Sequence, residues 1–175
     1  VGTVVPRASG GLVVALETGF AFLDPETGAV TPITDPESDK PGNRFNDGKC
    51  DPRGRFWAGT MSYEEAPNRG ALYMLDIDGR AHLKVTDVTT SNGIAWSLDE
   101  KTMYYIDTPT YRVDAFDFDP NTGAIANRRT VIEIPKEEGN PDGMTIDANG
   151  NLWIGLWGGS AVACYDPRTG EKLAS

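Results

Sequence analysis

Residues 147–155 read Asp-Ala-Asn-Gly-Asn-Leu-Trp-Ile-Gly, a polar turn that leads directly into a short apolar strand. The same order recurs at residues 51–59, which read Asp-Pro-Arg-Gly-Arg-Phe-Trp-Ala-Gly. Residues 97–106, Ser-Leu-Asp-Glu-Lys-Thr-Met-Tyr-Tyr-Ile, repeat it more loosely, and a weaker copy begins at Ser9. Short apolar runs bounded by turn residues, with almost no helical periodicity, are typical of all-β architecture.

A second class of turn alternates with the first and carries glycines at intervals of about 45 to 50 residues. Three of these turns have the form Asp-Pro-x-Thr-Gly, in which proline pre-sets φ and glycine accepts a positive φ. The glycines are Gly28, Gly79, Gly123 and Gly170. Units of this length with several strands each are typical of β-propeller blades.

We therefore predict an all-β chain that forms about four blades of a larger β-propeller, as a single segment over residues 1–175. Blades of three to four strands are expected, and the first unit is expected to lack its opening strand. A β-sandwich with coincidental spacing is the alternative.

Composition and charge exclude several classes of function. The 175 residues carry a net charge of −10, which argues against nucleic acid or an anionic membrane as partner. No apolar run approaches the roughly 20 residues of a membrane helix, and no secretory signal precedes the first strand, so we expect a cytoplasmic protein. The single histidine, His82, leaves little room for a catalytic triad, and we expect it to be structural. Cys50 and Cys164 are expected to be inert thiols without a bridge.

Three oxygen-bearing side chains occupy one phase of the repeat, each five residues before a turn of the first class: Asn46, Asn92 and Asp142. Equivalent positions in a propeller are related by rotation about its axis, so these side chains are expected to converge at one end of the central channel. Amide and carboxylate oxygens suit a hard divalent cation. The plainer interpretation is that Asn-Gly and Asp-Gly pairs are turn residues. The equivalent position in the first unit falls near Gly2 and carries no such group.

Two further residues are candidates for binding a substrate. Arg44 lies two residues before Asn46, so on a strand it would point to the same side and could reach a substrate oxygen. Glu64 lies in the polar stretch 62–68, which we predict to be a loop over the channel mouth. An arginine such as Arg44 is, on its own, more often a surface charge, and the alternative for Glu64 is a solvated surface residue.

Five segments in order also carry a family resemblance: residues 44–49 (Arg-Phe-Asn-Asp-Gly-Lys), 91–97 (Ser-Asn-Gly-Ile-Ala-Trp-Ser), 104–107 (Tyr-Tyr-Ile-Asp), 113–117 (Val-Asp-Ala-Phe-Asp) and 141–144 (Pro-Asp-Gly-Met). Together they resemble the regucalcin (senescence marker protein)/gluconolactonase family. The resemblance implies a six-bladed propeller that hydrolyses sugar lactones with one divalent cation, which could be Ca, Zn, Mn or Mg. It implies Asn92 and Asp142 as metal ligands, with Asp142 also the proton acceptor. Arg44, Asn46 and Glu64 match positions that bind the substrate.

The sequence departs from the family at one ligand. The family's remaining protein ligand is a glutamate in a Gly-Glu-Ser-Pro-like motif of the first blade, and no such motif occurs before Gly10. We therefore expect an incomplete ligand set within these residues. The alternatives are a calcium-binding propeller without catalysis, an inactive fragment, or another enzyme on a related six-bladed propeller. The shared phase of Asn46, Asn92 and Asp142 disfavours the last.

Overall fold

The computed structural model describes every residue from Val1 to Ser175 and is built almost wholly from β-strands. Two single 3₁₀ turns, Thr108–Thr110 and Lys136–Glu138, are its helical segments. The all-β prediction is confirmed. The strands are β1 (Thr3–Pro6), β2 (Leu12–Leu16), β3 (Gly19–Leu23), β4 (Val30–Thr34), β5 (Asn43–Cys50), β6 (Phe56–Ser62), β7 (Gly70–Leu75), β8 (Ala81–Val88), β9 (Ser91–Trp96), β10 (Thr102–Asp107), β11 (Arg112–Asp119), β12 (Ala124–Glu133), β13 (Asn140–Ile146), β14 (Leu152–Trp157), β15 (Ala161–Tyr165) and β16 (Lys172–Ala174).

The strands form four separate four-stranded sheets, and each sheet contains four consecutive strands: β1–β4, β5–β8, β9–β12 and β13–β16. The two turn classes explain this regularity. Each glycine of the second class has a positive φ, between 68° and 82°, and closes the hairpin between the third and fourth strands of its sheet. Gly54 and Gly150, of the first class, close the hairpin between the first and second strands with φ of 82° and 83°.

The expectation that the first unit lacks its opening strand is wrong. Residues Thr3–Pro6 form β1 and pair antiparallel with β2, with Thr3 opposite Ala15. The strand was missed because it is only four residues long and ends in proline, which is a weak strand signal on its own. All four sheets therefore have four strands.

The contacts divide the chain into two compact units. Unit 1 comprises residues 1–50 and 54–91 and contains the first two sheets. These sheets share an aromatic core in which the rings of Phe20 and Phe45 have centroids 4.6 Å apart. Phe56 packs edge-on against Phe20, with a centroid distance of 5.7 Å. The prediction of a single segment over residues 1–175 stays a prediction.

Unit 2 comprises residues 51–53 and 92–175, with the β9–β12 sheet, apart from Ser91, and the β13–β16 sheet. Its core joins Ile106 and Val113 of the third sheet to Leu152 and Ile154 of the fourth, and these side chains are fully buried. In β14 buried and more exposed residues alternate, because one face of the fourth sheet packs on the third and the other faces solvent.

Cys50 and Cys164 are free thiols, in β5 and β15. His82 lies in β8. The structure contains no helix that could span a membrane.

Candidate metal centre and substrate-binding groups

Asp142 lies in a β-bulge of β13, the first strand of the fourth sheet. The ladder with β14 shifts between Pro141 and Met144, so that Asp142 and Gly143 together lie opposite Gly155. A bulge breaks the alternation of side chains and redirects one of them, and bulges are frequent next to active sites. The bulge gives the Asp142 carboxylate, which is half-buried, a direction that a regular strand would not provide.

Asn46 lies in a corresponding bulge of β5, the first strand of the second sheet. Here the ladder with β6 shifts between Phe45 and Gly48, so that Asn46 and Asp47 lie opposite Gly59. Both bulges fall at the repeat phase that the sequence analysis selected. The phase therefore marks a distinct backbone feature and not only a turn-forming dipeptide.

Asn92, at the start of β9, is connected to the strand of Asp142 through one hydroxyl. Its amide nitrogen donates a 2.8 Å hydrogen bond to Thr108 Oγ1, and that hydroxyl donates a 2.7 Å hydrogen bond to the Pro141 carbonyl. The Asn92 side chain is buried, with 7% of the residue exposed. Because the amide nitrogen faces Thr108, the orientation of the amide group is fixed.

Gly93 allows β9 and β13 to approach each other closely. A Cβ at this position would lie 2.6 Å from Met144 Cβ and 2.8 Å from the Asp142 carbonyl oxygen, closer than real Cβ contacts. The two strands therefore touch at the residues that follow Asn92 and carry Asp142. An amide oxygen and a carboxylate on these strands are hard donors that suit a divalent cation.

Arg44 and Asn46 are joined by a hydrogen bond in unit 1. Arg44 Nη1 donates to Asn46 Oδ1 at 2.9 Å and to the Phe45 carbonyl at 3.1 Å. Asn46 Nδ2 donates to the Ser91 carbonyl at 2.8 Å. No carboxylate lies within salt-bridge distance of Arg44, so its charge is held in place without being neutralised.

Glu64 is exposed and lies in the turn that follows β6; residues 63–68 form the predicted loop, whereas Ser62 is the last residue of β6. The position of Glu64 over a channel mouth stays a prediction, as does the convergence of Asn46, Asn92 and Asp142. Sequence reasoning missed Thr108, because a hydroxyl that links two strands has no motif. The Thr-Pro pair at 108–109 was the available signal, since proline at this position begins the 3₁₀ turn that presents Thr108.

A second group that could hold a cation was also missed. Asp76, Asp78 and His82, in the β7–β8 hairpin, have ligand atoms within 4.8 Å of one another. All three are at least partly exposed, His82 Nε2 lies 3.9 Å from Asp76 Oδ2, and Arg80 pairs with Asp78 at 3.6 Å. This group lies on an exposed turn, so any test of metal binding at Asn92 and Asp142 needs a control for it.

The chain resembles known proteins over its whole length. Regucalcin of Xenopus laevis is 47% identical over 180 residues, which cover 99% of this chain and 60% of the relative. The solved structure of a luciferin-regenerating enzyme superposes with a TM-score of 0.92 at 35% identity, covering 98% of this chain and 60% of that one. A calcium-binding protein, regucalcin, from Agrobacterium tumefaciens superposes with a TM-score of 0.91 at 31% identity, covering 98% and 58%. The chain thus spans about 60% of the length of the curated relatives it matches.

The four sheets and the solved structures on which they superpose define a β-propeller, of which this chain forms four blades. A propeller structure of only 14% identity still superposes with a TM-score of 0.64, a likeness of fold alone. The family model described as the SMP-30/Gluconolactonase/LRE-like region matches residues 1–175. The chain belongs to this family, and the resemblance noted in the sequence is confirmed.

Proposed function

We propose that the protein hydrolyses sugar lactones with the help of one divalent cation held by Asn92 and Asp142. The observation that carries this proposal is the link from Asn92 through Thr108 to Pro141, which ties the amide to the strand of the carboxylate. Membership of a family whose description includes gluconolactonase supports the same class of reaction.

The Asn92 amide oxygen and the Asp142 carboxylate are ligands of the kind that a hard cation prefers, but two ligands do not fill its coordination shell. Calcium takes six to eight oxygen ligands and magnesium about six, so the remaining positions would belong to water, substrate or other residues. Zinc also accepts carboxylate oxygens, and manganese prefers oxygen ligands. The proposal therefore covers Ca, Zn, Mn and Mg, and the calcium-binding description of the Agrobacterium relative supports calcium.

The Asp142 carboxylate has two roles in this proposal, as a ligand and as a general base. A cation bound there would polarise the lactone carbonyl, an effect worth several kcal/mol in the transition state. Asp142 accepts a proton from the water whose oxygen attacks the carbonyl carbon. The bond between that carbon and the ring oxygen then breaks, and the released oxygen takes up a proton, which gives the open hydroxy acid.

Arg44, Asn46 and Glu64 are assigned to substrate binding. Arg44 presents its positively charged guanidinium, in a fixed position, to a carbonyl or carboxylate oxygen. Asn46 and Glu64 are suited to hydrogen bonds with sugar hydroxyls. Holding the sugar in one orientation lowers the entropic cost of the reaction. The partner in this proposal is a small sugar lactone in the cytoplasm, and the net charge of −10 argues against a nucleic acid.

Replacement of Asp142 by asparagine tests the proposal in the protein that carries this chain. Asp142→Asn keeps the shape and suits a bulge next to glycine, so the fold should be preserved. We expect kcat/KM for an aldonolactone, measured at saturating Ca²⁺, Zn²⁺, Mn²⁺ or Mg²⁺, to fall by about 10²- to 10⁴-fold. The matched control is Asp39→Asn, an exposed carboxylate in a loop, which should leave kcat/KM unchanged. Turnover close to that of the wild type in Asp142→Asn would remove Asp142 from catalysis.

Calorimetric titration with the same cations tests the ligand role separately. Asp142→Asn and Asn92→Ala should weaken binding, whereas His82→Gln should not, because it alters only the group in the β7–β8 hairpin. If His82→Gln abolishes the bound equivalent and Asp142→Asn does not, the cation binds at the hairpin and the proposal is wrong.

A second candidate function is calcium binding without catalysis, which the description of the Agrobacterium relative favours. It predicts tight Ca²⁺ binding that depends on Asn92 and Asp142, together with no lactone hydrolysis in the presence of any of the four cations.

A further inference from the structure

Tyr63 is the first residue after β6, and two side chains fix its position. Its ring lies beside Arg44, with 5.7 Å between the ring centroid and Arg44 Cζ. Its hydroxyl donates a 3.1 Å hydrogen bond to Glu17 Oε2. Tyr63 is nevertheless 56% exposed, so the ring is held in place without being part of a core.

The backbone around Tyr63 is also ordered by local hydrogen bonds. The Tyr63 N–H donates to the Gly42 carbonyl at 2.9 Å, next to the start of β5. Ser62 Oγ accepts the Ala66 N–H at 2.8 Å and closes the turn. A ring on this anchored turn can limit the freedom of a neighbouring long side chain.

Arg44 has one edge occupied and one edge open. Its Nη1 donates to Asn46 Oδ1 and to the Phe45 carbonyl, whereas its Nε and Nη2 donate to no group of the protein. A planar guanidinium whose remaining donors point the same way matches the two oxygens of a carboxyl group. An arginine in a fixed position without a carboxylate partner is suited to an incoming ligand.

Glu17 forms its hydrogen bond with Tyr63 and not with this arginine. Its carboxylate accepts a hydrogen bond from the Tyr63 hydroxyl, and that hydrogen bond raises the pKa of a phenol that already carries its proton at neutral pH. The arrangement uses the carboxylate as an anchor for the ring, and the guanidinium stays uncompensated.

We infer that Tyr63, anchored by Glu17, is a positioning residue that holds Arg44 with its Nε–Nη2 edge presented to the carboxylate oxygens of the sugar acid or the ester oxygens of its lactone. The inference rests on the proposed function, because it refines the role of Arg44 in that function. A flexible arginine pays rotamer entropy when it binds a ligand, and a ring packed against it removes part of that cost beforehand.

Kinetics of three variants test the positioning role in the protein that carries this chain. Tyr63→Leu removes the ring and should raise KM for an aldonolactone about 2- to 5-fold, with kcat unchanged, because an exposed cation–π contact contributes to binding alone. Tyr63→Phe keeps the ring but loses the hydrogen bond to Glu17, so its KM should lie between those of the wild type and Tyr63→Leu. Phe22→Leu is the matched control, since it removes the ring on which Arg7 stacks at 4.0 Å, and it should leave KM unchanged.

NMR of the Arg44 Nε–Hε group separates this inference from the proposed function. Tyr63→Leu should shift that resonance, and titration with gluconate should shift it in the wild type at lower concentrations than in Tyr63→Leu. If Tyr63→Leu changes neither the resonance nor KM, Tyr63 does not position Arg44. If the wild type hydrolyses no lactone but gluconate still moves the resonance, the proposed function fails and the inference stands. If gluconate leaves the resonance unmoved, the inference is overturned.

Discussion

Asp114 and Arg44 illustrate how the surroundings of a charged side chain distinguish a structural role from a binding role. Asp114 is 2% exposed and accepts hydrogen bonds from Arg112 Nη2, Arg128 Nε and Thr130 Oγ1, at 3.3, 2.7 and 3.1 Å. Its charge is fully compensated, as expected of a buried carboxylate that stabilises a sheet. Arg44 has no carboxylate partner, and an uncompensated charge of this kind is a better candidate for a ligand.

Tyr165 provides a residue-scale prediction about pH. Burial, followed by the charge and hydrogen bond of Glu138, raises the pKa of Tyr165 to about 12, from an ordinary value of 10.0. Because the folded-state pKa is raised, the protonated Tyr165 contributes fully to the free energy of unfolding below pH 10. This contribution is lost as the pH rises from 10 towards 12. We expect roughly 1 kcal/mol of this stabilisation to be lost between pH 9 and pH 11.

The measurement is the urea midpoint of wild type and Tyr165→Phe across this alkaline range. Tyr165→Phe lacks the ionisable hydroxyl, so its midpoint should fall less steeply with pH than that of the wild type. Parallel curves for the two proteins would show that the pKa of Tyr165 is no higher in the folded chain than in the unfolded chain.

The first strands of the second and fourth sheets share a β-bulge at the phase of the candidate site residues. In β5 the bulge redirects Asn46, and in β13 it redirects Asp142. The shared phase of these two residues is visible in the sequence, because Asn-Asp-Gly and Asp-Gly are motifs. It could not predict the bulges, since a bulge depends on the register of two strands and on the small residue opposite.

Gly93 lies where the strands β9 and β13 touch. Gly93→Ala would place a methyl group against Met144 and the Asp142 carbonyl, which would push β9 away from β13. We expect a lower melting temperature and, in calorimetric titration, weaker cation binding than at Gly143→Ala. Gly143 is the matched control, because it follows Asp142 directly and a Cβ there would meet nothing within 4 Å.

Equal melting temperatures and equal cation affinities in the two glycine variants would contradict this account. It would mean that the close approach of β9 and β13 does not depend on the missing side chain, and that Asn92 is held by Thr108 alone.

The contacts of Tyr63 show why other parts of the site could not be predicted. Glu17, Arg44 and Tyr63 come from three different segments, and no spacing or motif connects them. The same is true of Thr108 and Pro141, which are 33 residues apart. Turn glycines and apolar strands are local signals and predict the blades, whereas these hydrogen bonds exist only after the strands have paired.

At the scale of the whole molecule, the fold is a repeated four-stranded unit, and the burial of its strands differs from one sheet to another. Every residue of β6, β7 and β9 is buried. In β14, by contrast, Trp157 remains 71% exposed, and Val162, which pairs with Gly155 on the same face, remains 53% exposed. This face of the fourth sheet is an apolar surface in contact with solvent.

We therefore expect the isolated chain of 175 residues to self-associate through this face, because contiguous exposed apolar surface favours association. Sedimentation velocity over a series of concentrations should show species larger than the monomer.

The double variant Trp157→Lys, Val162→Lys should shift the distribution towards monomer, since two lysines would repel each other across an interface between copies. Ile77→Lys is the matched control: Ile77 is 88% exposed in the β7–β8 turn, which is not part of the fourth sheet, and its replacement should leave association unchanged. A wild-type chain that stays monomeric at every concentration would show that the face is tolerated in water. An equal effect of Ile77→Lys would show that association depends on net charge and not on this face of the fourth sheet.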